Sequence, residues 1–92
     1  MFIHILKQMQ EKIRNGQYVM TLHAAEEMED DDLTIFDVES VMLTGEIFER
    51  QKDRLTADWK YLIKGQIKHQ DTVVVAKLSI TGKLVIITVY IE

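Results

Sequence analysis

One histidine and a set of basic residues are the side chains in this sequence that could carry chemistry. His23 opens a helix-forming stretch, and histidine is the side chain that exchanges protons near neutral pH. The basic residues follow in the second half of the chain, where their guanidinium and ammonium groups can bind an anion such as phosphate. They are Arg50, Lys52, Arg54, Lys60 and Lys64. A proton-transfer group combined with an anion-binding set is therefore the first functional prediction.

Alternation along two predicted strands indicates which of these cations act together. Arg50 shares a strand face with Phe48 and Lys52, and Lys60 shares one with Lys64. We therefore expect adjacent strands to present one cationic patch, with an aromatic ring among the charges. The alternative is that the lysines only solvate the open face of a sheet and discourage edge pairing.

A second interpretation also stands for His23, and it is purely structural. A histidine at the start of a helix can pack its ring on a sheet and hydrogen-bond the backbone, since buried polar groups need partners. His4 and His69 lie in an apolar helix and a predicted turn, where structural or solvated roles are expected. His23 is therefore the histidine that we consider for catalysis.

An acidic run begins three residues after His23, at Glu26, and is the strongest charge feature of the chain. Residues 1–46 have a net charge of −7 and residues 47–92 a net charge of +3. The run lacks the spacing of a calcium loop or a zinc motif, so the sequence predicts neither a metal site nor a cofactor. Binding of a basic partner is a better functional explanation of this acidic run than binding of a metal ion. The predicted partner-binding residues are Glu26, Glu27, Glu29, Asp30, Asp31 and Asp32.

Three helices are expected to position these residues. Apolar residues at helical spacing predict an amphipathic helix over residues 2–13, and helix formers predict a second from His23 to about Glu29. A third helix begins at Thr34, where Asp37 completes a capping box. It is predicted to end at Gly45, as the residue that tolerates a positive φ.

The pattern changes to period two after Gly45. Four strands are predicted over residues 47–52, 59–68, 72–80 and 84–91, with connections short enough for an antiparallel meander. A further short strand near Val19 is expected to join them. We therefore expect an α+β fold in one domain, residues 1–92, with helices mainly in residues 1–45 and an antiparallel sheet in residues 46–92.

Composition excludes several classes of protein. The chain has no cysteine, so disulfide frameworks and thiolate sites are excluded. No charged leader precedes an apolar signal core, and the apolar runs are too short to span a bilayer. We therefore expect a cytoplasmic protein that does not bind a membrane.

Five segments together resemble the family called domain of unknown function 4258. They are Leu22-His23-Ala24-Ala25-Glu26-Glu27-Met28, Leu33-Thr34 with Asp37-Val38, Gly45-Glu46-Ile47, Trp59-Lys60-Tyr61, and Ile87-Thr88-Val89-Tyr90. That family is similar to the RelE and BrnT ribonuclease toxins, which pack helices against an antiparallel sheet. The resemblance implies a toxin–antitoxin type of protein with the same fold.

The resemblance also implies a chemistry for the candidate residues. A metal-independent endoribonuclease would use His23 and Arg50 in catalysis and the remaining cations to hold RNA, with a basic antitoxin-like protein as partner. This chain carries Glu27 and Asp31 where many members carry basic residues. The alternative is a noncatalytic interaction module that binds a basic partner or itself as a dimer. The enzyme requires His23 and the cations to converge in one cleft, and the module requires an exposed acidic face.

Overall fold

A computed structural model describes residues 2–92, so Met1 of the predicted 1–92 domain lies outside the described residues. Three helices and five strands make up this part of the chain. The helices are α1 (Ile3–Arg14), α2 (Leu22–Asp30) and α3 (Ile35–Thr44). The strands are β1 (Tyr18–Met20), β2 (Glu46–Lys52), β3 (Trp59–Ile67), β4 (Gln70–Leu78) and β5 (Leu84–Ile91).

The strands form one mixed sheet in the order β1-β5-β4-β3-β2. Strands β2 to β5 are the predicted antiparallel meander. The short strand expected near Val19 is confirmed, and it pairs with β5 in parallel. The α+β prediction is thus confirmed. The sheet is mixed, not wholly antiparallel, because β1 pairs with β5 in parallel.

The helices cover one face of the sheet, and the main core lies between them. Helix α1 contributes Met9 and helix α3 contributes Met42, both fully buried against Ile63 of β3 and Ile86 of β5. Side chains alternate along β3, since Ile63 joins this core while Leu62 belongs to a separate cluster on the opposite face. Burial of these side chains supplies most of the driving force for folding.

The two ends of α3 show where local sequence suffices and where it does not. The predicted capping box is confirmed, because Thr34 Oγ1 accepts from the Asp37 N–H and Asp37 Oδ2 accepts from the Thr34 N–H. The helix ends at Gly45 as predicted, but the stated reason is wrong. Gly45 has φ −86° and ψ −175°, an extended conformation open to any residue. Lack of space, not backbone conformation, requires glycine there.

The turn between β3 and β4 is tighter than predicted. Lys68 and His69 form a two-residue connection, and both have positive φ, as the hairpin turn that matches strand twist requires. Strand β4 therefore begins at Gln70, two residues before the predicted start at Thr72. His69 lies in the turn, as expected.

Candidate functional site

His23 is positioned by the cap of α2 at the place where β1 ends. Thr21 follows β1, and its N–H donates to the Ile86 carbonyl of β5. Its hydroxyl donates to the Ile87 carbonyl (2.9 Å) and accepts from the Ala24 N–H (3.1 Å). The cap therefore anchors the start of α2 on β5, and His23 lies in the first turn at this edge of the sheet.

The imidazole of His23 contacts one carboxylate and is otherwise open to solvent. Its Nε2 lies 3.3 Å from Glu27 Oε1, and its side chain is 66% exposed. The same Glu27 oxygen accepts the backbone N–H of Val89 at 3.0 Å. Because β1 pairs with β5 only as far as Ile86, this carboxylate satisfies a strand donor that β1 leaves free. Glu27 can orient His23 for proton exchange, and it also completes the edge of β5.

Arg50 and Lys52 lie at the other edge of the sheet and are held by one aromatic ring. In β2 they pair with Tyr61 and with Trp59 of β3, so they lie on the face that carries the helices. The Arg50 guanidinium lies 4.1 Å and the Lys52 ammonium 4.7 Å from the centroid of the Trp59 ring. Such cation–π contacts hold both charges without neutralising them.

Lys60 and Lys64 lie on the opposite face of the same strands. Lys60 pairs with Gln51, and Lys64 makes an ion pair with Glu92 at 2.6 Å. The hydrogen bond to Glu92 raises the pKa of Lys64, and the ammonium also lies 4.9 Å from the centroid of the Phe48 ring. The charge of Lys64 is therefore already neutralised by Glu92.

The expectation of one cationic patch is wrong, and a β-bulge is the reason. The pairing of β2 with β3 skips Phe48, so Arg50 and Lys52 do not share its face as strict alternation would require. The predicted cations of β2 and β3 are divided between the two faces of the sheet. The centre of the face opposite the helices is apolar, with a second cluster formed by Leu62, Val73, Val75, Ile87 and Tyr90.

The structure also separates His23 from the cations on β2. Helix α2 is anchored on β5, and β4 and β3 lie between β5 and β2. Three strand spacings correspond to about 14 Å across the sheet. His23 and Arg50 therefore do not line a common cleft, and the convergence that the enzyme hypothesis requires is not found.

The predicted acidic surface is exposed at the His23 edge of the sheet. Glu26, Glu29 and Asp30 point from α2 into solvent, and the run continues through the turn at Asp31 and Asp32. In residues 2–92, no three histidine or carboxylate side chains come together as they would around a metal ion. The carboxylates point around the helix instead of at one centre.

A cleft of about 500 Å³ opens beside these carboxylates, between β1, α2 and the start of α3. We call it the acidic cleft. Its floor is apolar and its rim carries two of the predicted acidic residues, Glu29 and Asp32. The other lining residues are Met20, Ala25, Met28, Leu33, Thr34 and Ile35. An apolar floor with an anionic rim suits a ligand that carries both an apolar and a cationic group.

A partly buried hydrogen bond joins β1 to α3 beside the acidic cleft. Tyr18 of β1 donates its hydroxyl to Glu39 of α3 at 2.6 Å. Burial first, and then the hydrogen bond and charge of Glu39, raise the pKa of Tyr18 to about 12. The phenol therefore keeps its proton at physiological pH, and β1 and α3 stay joined beside the cleft.

Arg54, the remaining predicted cation, lies in a loop that is closed by its own hydrogen bonds. We call residues 53–58, between β2 and β3, the Leu55 loop. Asp53 Oδ1 accepts the Leu55 N–H at 3.0 Å, and Asp53 Oδ2 accepts from Lys77 Nζ at 3.1 Å. Lys77 also reaches Thr56 Oγ1 at 3.2 Å. The ammonium of Lys77, on β4, is thus bound by side chains of the loop, while Arg54 stays exposed.

We expect the carboxyl of Asp53 to report on this loop. The Leu55 N–H, and next Lys77, lower the pKa of Asp53. Because this pKa is lower in the folded than in the unfolded protein, the ionised carboxyl stabilises the closed loop at pH values above the unfolded-state pKa. The stabilisation is lost as the pH falls through the folded-state pKa. Lys77→Met should raise the pKa of Asp53 measured by NMR, whereas Lys83→Met, at an exposed lysine in the hairpin before β5, should not. Equal titration in both variants would contradict this assignment.

Sequence reasoning missed the residues that make the cleft and the loop distinctive. Met20 precedes the acidic run and Met28 lies within it, but their apolar character indicated only core positions. Trp59 was noted only as part of a family segment, and the structure places the two cations of β2 over its ring. A signal for Leu55 was present, since it is one of the few apolar residues in a polar loop and is 95% exposed.

Comparisons with known proteins identify the family and nothing finer. Neither the curated proteins nor the solved structures include a significant match to this chain. In the described part of the chain, the helices are too short and too polar to cross a bilayer. A family described as a domain of unknown function (DUF4258) matches residues 20–91, which is more than half of the chain and includes α2, α3 and strands β2 to β5. The chain therefore belongs to the DUF4258 family.

Proposed function

We propose that this protein is a noncatalytic interaction module whose acidic cleft binds a basic, partly apolar segment of a partner protein. The observation that carries the proposal is the composition of the cleft, with Met20, Met28 and Leu33 on its floor and Glu29 and Asp32 on its rim. An apolar side chain of the partner would remove the floor from water, and a neighbouring arginine or lysine would pair with the rim.

Charge at this edge of the sheet supports a basic partner. The acidic run has no basic neighbour within ion-pair distance among residues 2–92, apart from the His23–Glu27 contact. Uncompensated charge of one sign accelerates association with a partner of the opposite sign and selects against acidic competitors. The separation of His23 from the cations of β2 supports a module over an enzyme.

The proposal predicts selective binding of a short peptide. A fluorescein-labelled peptide of alternating leucine and arginine should bind the protein, and its anisotropy should rise with protein concentration. Peptides with glutamate in place of arginine, or serine in place of leucine, should bind at least about tenfold more weakly, since each lacks one of the two matching chemistries. Binding should weaken as salt is added.

Two charge reversals locate the binding site. Glu29→Lys changes the rim of the cleft and should weaken peptide binding about tenfold. Glu11→Lys makes the same change on an exposed position of α1, outside the cleft, and should leave binding nearly unaltered. Equal losses in both variants would mean that the net charge of the protein alone governs peptide binding, and would exclude the cleft as the binding site.

A second candidate, a metal-independent endoribonuclease, is favoured by one observation. His23 is exposed and lies beside Glu27, an arrangement in which a carboxylate can orient an imidazole for acid–base catalysis. Incubation with a mixed RNA pool in excess EDTA tests it, alongside His23→Ala and Arg50→Ala. Discrete cleavage that both variants lose would replace the module with the enzyme, whereas an intact pool is the result we expect.

A further inference from the structure

The Leu55 loop presents an apolar side chain beside a cation at the far edge of the sheet from the acidic cleft. Leu55 is 95% exposed, and its chain neighbour Arg54 is exposed as well. Arg50 and Lys52 lie on the adjoining strand, and no carboxylate in the described residues lies within ion-pair distance of these three cations. The loop therefore offers an apolar group that matches the apolar floor of the acidic cleft and cations that match its anionic rim.

The loop is held in a defined shape before any partner arrives. Its ends are joined by a hydrogen bond from the Asp53 N–H to the Asp58 carbonyl at 2.7 Å, and the Ala57 N–H donates to the Asp53 carbonyl at 2.8 Å. Lys52 Nζ donates to the Ala57 carbonyl at 3.1 Å, in addition to the contacts made by Lys77. A loop that is already ordered loses little conformational entropy when it binds.

The cations beside Leu55 distinguish it from Ile80, the other almost fully exposed aliphatic side chain in the described residues. Ile80, at the tip of the β4–β5 hairpin, is 98% exposed, but its chain neighbours Ser79 and Thr81 carry no charge. Only Leu55 of the two combines an apolar group with adjacent cations. Ile80 therefore provides a matched control.

We infer that the occupant of the acidic cleft is the Leu55 loop of a second copy of this chain. Leu55 would lie on the floor formed by Met20 and Met28, and Arg54 would pair with the acidic rim. The cleft and the loop lie at opposite edges of a five-stranded sheet, about 19 Å apart if the strand spacing is about 4.8 Å. A chain cannot fill its own cleft with its own loop, so the contact has to be intermolecular.

The arrangement of the two surfaces decides the kind of assembly. Each contact joins a cleft to a loop, so the two copies use different surfaces and each leaves one of its own surfaces free. Such head-to-tail contacts continue into an open chain or close into a ring, in contrast to a twofold dimer. This inference rests on the proposed function, since it uses the same cleft and names its partner.

Sedimentation velocity over a range of protein concentrations tests the inference. The average mass of the wild-type protein should rise with concentration at low salt, and high salt should reduce it. Leu55→Asp should raise the concentration of half-association at least about tenfold, whereas Ile80→Asp should leave it unchanged. Both residues are almost fully exposed, so neither variant is expected to unfold, which circular dichroism checks.

A charge exchange tests the pairing of the two surfaces directly. The double variant Glu29→Lys with Asp32→Lys replaces both carboxylates of the cleft rim with cations, so its cleft and its loop are both basic. The double variant Arg50→Glu with Arg54→Glu replaces two cations at the loop with carboxylates, so its cleft and its loop are both acidic. Each alone should remain monomeric. An equal mixture should associate again, because the basic cleft of one then meets the acidic loop of the other, and the native loop meets the native cleft.

Three results would overturn the inference. These are a wild-type protein that is monomeric at every concentration, equal effects of Leu55→Asp and Ile80→Asp, and a mixture of the double variants that does not associate. The leucine–arginine peptide separates this failure from that of the proposed function. If wild-type protein and Leu55→Asp both bind the peptide while the protein stays monomeric, the cleft remains a binding site and only the second copy is excluded as its partner.

Discussion

Gly45→Ala is expected to lower the free energy of unfolding by about 3 kcal/mol or more, because the site has no room for a methyl group. A Cβ at Gly45 would contact the carbonyl oxygen of Lys64 on β3 and would lie 2.6 Å from the carbonyl oxygen of Val41 on α3. Both are backbone atoms in regular elements and cannot move aside as the end of a side chain would. Helix α3 would have to shift away from the sheet.

Urea denaturation followed by circular dichroism measures this loss, and Gly16→Ala is the matched control. Gly16 has φ 66°, so alanine is strained there, but its Cβ would meet no atom within 4 Å. We expect that substitution to cost only about 1 kcal/mol. If Gly45→Ala cost no more than Gly16→Ala, the close approach of α3 to β3 at this point would be refuted.

Glu27→Ala is expected to destabilise the protein by about 1–3 kcal/mol through an unsatisfied backbone donor. The Glu27 carboxylate accepts the N–H of Val89, a fully buried residue of β5, beyond the point where β1 stops pairing. Alanine would remove the acceptor and leave that N–H at an uncompleted strand edge. Glu27 would then have a structural reason for being glutamate.

Two further variants separate this structural role from a role in catalysis. Glu27→Gln keeps a carbonyl oxygen for the Val89 N–H and should recover most of the stability, and His23→Ala should cost little because His23 is mostly exposed. Amide hydrogen exchange at Val89 should accelerate in Glu27→Ala and stay slow in the other two. If His23→Ala were as destabilising as Glu27→Ala, the pair would act as one structural unit.

The separation of charge along the sheet gives the protein two unlike ends. The acidic run lies with α2 at the β1–β5 edge, and Arg50, Lys52 and Arg54 lie at the β2 edge. A single cleft that combined both signs would suit proton transfer on a phosphate ester, but two separated surfaces suit association with other chains. The family match to residues 20–91 includes both surfaces, so the same comparison can be made in any other member.

Local sequence predicted the elements well because the signals for them are local. The capping box of Thr34 and Asp37 depends on residues three apart, and it was identified from sequence and is present in the structure. The period-two pattern placed Lys60 and Lys64 on one face of β3 correctly, because successive side chains of a strand point to opposite faces. The short strand around Val19 was also expected, although its parallel pairing with β5 was not.

Only the tertiary structure decided which chemical groups meet. A single bulge at Phe48 moved Arg50 and Lys52 to the face opposite Lys60, and nothing in the alternation of β2 indicates it. The order of strands placed His23 and Arg50 at opposite edges, and the approach of α3 to β3 made Gly45 necessary.

By itself, the sequence determined the helices and their caps, most of the strands, the acidic run and the basic second half. It did so because periodicity and charge are properties of neighbouring residues. Register, strand order and the acidic cleft between β1, α2 and α3 depend on contacts between residues far apart in the chain. Those contacts are settled by packing of the whole core, and they decide that the two charged surfaces of this protein face away from each other.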